Sequence, residues 1–247
     1  MASFWDLYAR VYDALPRHFK PYQRLVEDIA RRFKSRGGKY SILDVGCGSG
    51  NFCIRLAEDG HYVKGVDFSD GMLRRAEDKK RARKLENIEF VKADVEHGLN
   101  FPDKYFDGII SIHILYSLRN PQNALEEYYR VLKPSGQLVL CEPQRPTGMM
   151  PVLKEEWKDS GLSEAVKLAR NLFLIRVFDI ILDSRVRSGS YHCWNRDELM
   201  SLVCNSGFRI DSVEETYTIN VDLLIVARKN GHESKSGRDG FASLDAP

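Results

Sequence analysis

Apolar residues recur along the chain in two rhythms, and the switches between them mark out the elements. In PYQRLVEDIARRFKSRG (21–37), Leu25, Ile29 and Phe33 fall on one face at helical spacing and Gly37-Gly38 supplies a stop, which predicts a helix ahead of the first strand. Short apolar runs follow: YSILDVG, HYVKGVDF, IEFVKADV, FDGIISIHIL and GQLVLCEP, with helical or turn material between them. Strands alternating with helices imply a parallel sheet covered on both faces. The crossover helices show their ends. Ser69-Asp70 gives N-cap chemistry to SDGMLRRAEDKKRARKL, and NPQNALEEYYRVLKPSG opens after Asn120 with Pro121 in its first turn and ends before Pro134.

After Glu142 the rhythm changes. Residues 144–192 hold no strand pattern and give helix-like stretches around 152–160 and 163–184, which reads as an inserted helical cap. NRDELMSLVCNSGF (195–208) resumes as a helix stopped by Gly207, and RIDSVEETYTINVDLLIVARK holds two strand-like runs close enough to pair as an antiparallel hairpin. The polar, Gly/Ser-rich NGHESKSGRDGFASLDAP reads as disordered. The pattern therefore divides the chain into an N-terminal helical segment (1–37), a core (38–143), a cap (144–194), a final helix and hairpin returning to the core (195–229), and a tail (230–247).

Composition narrows the class. A chain of 247 residues, 43% hydrophobic and 29% charged, suits one soluble domain of ordinary core size carrying an insertion. With 37 basic and 35 acidic residues the formal charge is +2, so bulk charge does not point to nucleic acid as a partner. Cys47, Cys53, Cys141, Cys193 and Cys204 are widely spaced and odd in number, which argues against a disulfide framework and a four-ligand zinc site; no metal is expected. MASFWDLYARVYDALPRHFK mixes charges with aromatics and has no continuous apolar core, so it does not read as a secretory signal, and a cytoplasmic protein is expected. NLFLIRVFDIIL (171–182) is the most apolar stretch, but Arg176 and Asp179 interrupt it and it is too short to cross a bilayer. It reads as a buried cap helix, a homodimer contact or a lipid-docking surface.

Candidate chemistry concentrates in ILDVGCGSGNF (42–52), where a strand runs into Gly46, Gly48 and Gly50 and then a helix. Such a turn lets backbone approach a ligand closely and aims helix N-terminal amides at it. The dinucleotide fingerprint spaces its glycines G-x-G-x-x-G, and Asn51 stands where its third glycine would fall. Asp44, just before the turn, would repel a pyrophosphate and attract an ammonium or sulfonium cation. Asp67 ends the second strand, 21 residues after Gly46, where a carboxylate accepts from ribose hydroxyls. Asp94 ends the third strand, where it would accept from an exocyclic amine. A cationic nucleoside fits this crevice better than an anionic dinucleotide.

With LDVGCGSGNF, GVDFSDGML, VKADVEHGLNFPDKYFDGIIS and VLKPSGQLVL in order, residues 40–142 resemble the class I S-adenosylmethionine-dependent methyltransferases, closest in flavour to the small-molecule group that includes the ubiquinone/menaquinone-biosynthesis enzymes. The resemblance implies an α/β, doubly wound, seven-stranded sheet of order 3-2-1-4-5-7-6 with the last strand antiparallel, and S-adenosyl-L-methionine as cofactor. It implies that Asp44 and the backbone from Gly46 through Cys47 and Gly48 to Gly50 hold the methionine end, and Asp67 the ribose. Phe68 and Met72 would pack on adenine, with Asp94 taking its amine and the Val95 amide meeting a ring nitrogen. Ile112 and His113 would lie along the methionine moiety, and Tyr12 would close over it.

The residues also admit plainer roles. Asp67 and Asp94 would serve as caps, and Cys47 as a small buried filler of the turn. A methyl on sulfonium is already activated, so displacement mainly requires an acceptor atom held about 3 to 3.5 Å away in line. Where the acceptor needs deprotonation, His113, His192 and Tyr116 are the candidate bases. The expected acceptor is a small apolar or aromatic molecule housed under the cap; a non-catalytic cofactor-binding module, or a methyltransferase acting on protein or RNA, is the alternative.

Overall fold

The computed structural model describes residues 20–34, 38–144, 192–217 and 221–230, with isolated positions between 154 and 163. The first described helix, α1 (Lys20–Lys34), buries Leu25, Ile29 and Phe33 on the face that their spacing predicts. Seven strands follow: β1 (Ser41–Val45), β2 (Tyr62–Asp67), β3 (Ile88–Lys92), β4 (Phe106–Ile112), β5 (Leu132–Pro143), β6 (Phe208–Tyr217) and β7 (Val221–Lys229). Helices α2 (Asn51–Glu58), α3 (Asp70–Arg83), α4 (Pro121–Val131) and α5 (Arg196–Asn205) connect them.

The strands form one sheet of order β3-β2-β1-β4-β5-β7-β6. Pairings from β3 to β5 are parallel, whereas β7 runs antiparallel to both β5 and β6. The expected class and order are confirmed, including the hairpin and the antiparallel last strand.

The sheet separates two apolar layers. On one side Ile42, Val63, Ile110, Val139 and Leu224 pack with residues of α1, α2 and Leu73 of α3; on the other Leu43, Val66, Ile109, Leu138 and Ile225 pack with α4 and α5. Small residues set the approach distances. A Cβ on Gly108 of β4 would lie 2.3 Å from the Phe33 ring, so α1 reaches the sheet because β4 offers no side chain there. The caps follow the chemistry read from sequence: the Ser69 hydroxyl accepts from the Met72 amide, and the Asn120 side-chain Oδ1 from the Asn123 amide with Pro121 behind it. Asn195 and Glu198 add a reciprocal capping box to α5.

One detail differs from the sequence pattern. Helix α4 stops at Val131 and β5 begins at Leu132, several residues before the apolar run at 136, because Leu132 pairs with Phe106 across a register shift in β4. The N-terminal segment before 20, most of the cap and the tail lie outside the described residues.

Candidate functional site

The carboxyl ends of β1, β2, β4 and β5 meet at one edge, the place where open α/β sheets bind ligands. Because β7 is antiparallel, it delivers its beginning to that same edge: Asp222 pairs with Pro143 at the end of β5.

Gly46, Gly48 and Gly50 all adopt left-handed backbone, with φ of 67°, 54° and 78°. Two of them are also crowded. A Cβ on Gly46 would fall 1.9 Å from Ile114 Cδ1, and one on Gly50 would fall 2.8 Å from the Phe90 ring. Gly48 differs, since its nearest neighbour would be Met72 Sδ at 4.0 Å. The turn is thus packed at both ends and open in the middle. Gly50 caps α2 without a side-chain hydrogen bond, so the helix's leading amides are not taken up by a capping side chain. Lys79 of α3 steadies the turn by donating to Ser49 Oγ and Asn51 Oδ1, both at 2.8 Å.

Two buried carboxylates flank the turn. Asp67 accepts from the Gly48 amide through Oδ2 and from the Ser69 amide through Oδ1, both at 2.9 Å, so it shapes the turn while standing at the end of β2. Burial pushes its carboxyl up, and these amides hold it down in part. Asp44 accepts from the Cys53 thiol at 3.1 Å and is 1% exposed. Burial pushes Asp44 to about 7, against the Cys53 hydrogen bond and with help from the Asp67 charge. A carboxyl so raised gains from any cation seated beside it. The donor set therefore suits a ligand bearing a positive group and hydroxyls. Cys47 is buried, with its thiol pushed to about 11 by burial, as expected of a filler of the turn rather than a nucleophile.

The other predicted positions among the described residues lie along the same edge. Met72 is buried beside Gly48, and Phe68 stands 43% exposed next to Asp67. Asp94 caps the turn Val95–His97, accepting from the Glu96 amide at 3.0 Å and lying 3.1 Å from His97 Nδ1, which is the plainer role that its position allowed. Val95 and Ile112 are half-buried. Tyr12 lies outside the described residues.

His113 follows β4 with φ of 57°, a left-handed conformation unusual for a side chain of this size. Its amide donates to the Cys141 carbonyl at 2.8 Å, and its Nε2 lies 3.1 Å from Asp222 Oδ1. Burial pushes the imidazole down, but the Asp222 and Glu142 carboxylates outweigh it and hold His113 above the ordinary histidine range. Glu142 is fully buried and accepts from the amides of Ile114, Leu115 and Tyr116 at 3.1, 2.9 and 3.2 Å. The structure also brings two candidate bases together, because the His192 amide donates to the Tyr116 carbonyl at 2.8 Å and the His192 ring stacks on Trp194. Sequence reasoning missed Glu142, Asp222 and Lys79. Asp222 begins a strand-like run whose alternation would have placed it on the face of Leu224, but nothing local tied it to His113.

Comparison with known proteins agrees with the geometry. Residues 43–140 match a family model described as a methyltransferase domain. Over 151 residues the chain is 34% identical to the demethylmenaquinone methyltransferase of Geobacillus kaustophilus, covering 56% of this chain and 63% of that one. Over 105 residues it is 39% identical to the demethylmenaquinone methyltransferase of Tropheryma whipplei, covering 42% of each. The chain thus spans less than two thirds of these relatives' length. Among solved structures, the [4+2]-cyclase SpnF shares the fold with a TM-score of 0.62 at 20% identity, over 85% of this chain and 82% of that one. Magnesium protoporphyrin IX methyltransferase from Synechocystis, with bound SAH, gives 0.60 at 17% identity, over 85% and 84%. These distant likenesses speak for the fold alone, and the cyclase shows that the fold by itself does not fix the chemistry. Family model, identity to curated relatives and sheet order agree in likening residues 43–140 of this chain to a methyltransferase domain.

Proposed function

We propose that the protein transfers a methyl group from S-adenosylmethionine to a small, apolar or aromatic molecule. The observation that carries this reading is the pair of buried carboxylates, Asp44 and Asp67, on either side of a left-handed glycine turn that is open at Gly48. Bound there, the cofactor supplies a methyl group already activated by a positively charged sulfur. Asp44 and the turn from Gly46 to Gly50 hold the methionine end, where the raised Asp44 carboxyl is relieved by a neighbouring cation. The Asp67 oxygens, besides their amide donors, accept the ribose hydroxyls. Met72 and Phe68 pack on adenine, Asp94 and the Val95 amide read its edge, and Ile112 and His113 run along the methionine moiety. Tyr12 and the cap (144–194) close the site and shape the acceptor pocket.

The curated relatives carry demethylmenaquinone in their names, which makes a quinol the first acceptor to try here. The reading extends to a cytoplasmic homodimer joined through the cap; among the described residues no helix is long and apolar enough to cross a membrane. Incubating the protein with methyl-deuterated S-adenosylmethionine and a metabolite extract should yield a labelled small molecule. Asp67→Ala should weaken S-adenosylhomocysteine binding by about 1.5 to 3 kcal/mol, the scale of lost hydrogen bonds to a charged group. Unchanged affinity in a calorimetric titration would remove the ribose assignment, and binding without any labelled product would favour a non-catalytic module or a protein or RNA acceptor.

A further inference from the structure

The loop after β4 is built at a cost. A non-glycine residue in the left-handed region is strained, and such strain persists where surrounding contacts over-determine it. His113 is held in this way by the Cys141 carbonyl on its amide, by Asp222 at its Nε2, and by Glu142 gripping the next three amides. Ile114, the next residue, presses on Gly46, so the loop is docked directly on the glycine turn. Asp222 is 0% exposed while the His113 side chain retains 22%, so access to the pair runs through the imidazole.

We propose that His113 and Asp222 form a catalytic dyad, with His113 as general base toward an aromatic hydroxyl on the acceptor and Asp222 as the residue that fixes its tautomer. The proposal rests on the methyl-transfer reading above and narrows its acceptor to phenols and quinols. A proton held on Nε2 by the Asp222 carboxylate 3.1 Å away leaves the lone pair on Nδ1. The acceptor's O–H proton moves to Nδ1, and the electron pair it leaves behind forms the bond to the methyl carbon. That bond forms at oxygen, or at a conjugated ring carbon with a later shift of the ring proton to oxygen. The carbon–sulfur pair departs with sulfur, leaving a neutral thioether. The imidazolium, stabilised by Asp222, then releases its proton to solvent. Among the described residues, the charged and titratable groups facing the imidazole are Asp222 on β7 and Cys141 and Glu142 on β5; the raised titration of His113 agrees with its two acidic neighbours.

Two variants test the dyad: His113→Asn, which keeps a residue tolerant of the left-handed region, and Asp222→Asn, which keeps the shape but favours the wrong tautomer. In the ligand-free protein, nitrogen NMR of labelled histidine should find His113 protonated on Nε2 when neutral, titrating above the usual range, and falling toward it in Asp222→Asn. With 1,4-dihydroxynaphthalene as acceptor, both variants should lose at least about 100-fold in kcat, while S-adenosylhomocysteine binding by Asp222→Asn changes less than about twofold. Wild-type kcat/KM should rise through the His113 titration, a limb absent from His113→Asn. An imidazole titration unmoved by Asp222→Asn overturns the dyad even if no cofactor binds, an outcome that separately sinks the methyl-transfer reading. Turnover within about threefold of wild type in both variants, loss of activity to a chelator, or methylation of amines and thiols but not the naphthalenediol would overturn it with that reading intact. Should both variants fail to fold, a wild-type kcat/KM flat between about pH 6 and 9 overturns it as well.

Discussion

Asp44 stands where β1 must be apolar to fill the sheet and where, on the proposed reading, a cationic ligand needs a counter-charge. Burial resolves the conflict by raising its carboxyl to about 7. Since the folded state holds this proton more tightly than the unfolded chain, its bound protons exceed those of the unfolded state between about pH 4 and 7. Stability contributed at this position is therefore present at low pH and is lost as pH rises through that window. Asp44→Asn removes the titration and can still accept from Cys53. Relative to wild type, the variant should gain roughly 2 to 4 kcal/mol between pH 4 and 8 in urea unfolding of the ligand-free protein. A stability difference that does not change with pH would mean that Asp44 is ionised and matched without ligand.

At the scale of elements, Glu142 shows how a strand end organises a neighbouring loop. Oε1 takes the amides of Ile114 and Leu115 and Oε2 takes that of Tyr116, so an ionised carboxylate satisfies three backbone donors at once. Glu142→Gln sets an NH2 group against the Tyr116 amide and should cost about 1 to 3 kcal/mol at pH 8. Burial raises Glu142 to about 7, so at pH 6 the native group is itself largely protonated and the cost should shrink, which denaturant titrations at both pH values would check. This device was not legible in the sequence. Caps at Ser69 and Asn120, the α1 stripe and the five core strands were, because each depends on neighbours within one turn or one strand. Glu142 and Asp222 acquire their roles only through the pairing of β5 with β4 and β7. An early start of β5 at Leu132 was hidden for the same reason, since its partner is Phe106.

On the scale of the whole molecule, the site is an edge to which five parallel strands bring their ends and one antiparallel strand brings its beginning. The glycine turn and its two carboxylates were readable because they follow β1 and β2 directly, whereas the His113–Asp222 pairing needed the complete sheet order. A ligand that bridges β1, β2 and β4 ties together elements on which both apolar layers depend. Binding only the folded state, S-adenosylhomocysteine at about 100 times its Kd should therefore stabilise the whole domain by ~2.7 kcal/mol. For a chain of this size that corresponds to a rise in Tm of roughly 5 to 10 °C. The same concentration should raise the Tm of Asp222→Asn by as much, because that residue acts on the acceptor side, and should raise that of Asp67→Ala far less. A scanning calorimetry series in which Asp67→Ala keeps the full shift would detach the cofactor from the end of β2, and with it the assignment of the edge as a cofactor site.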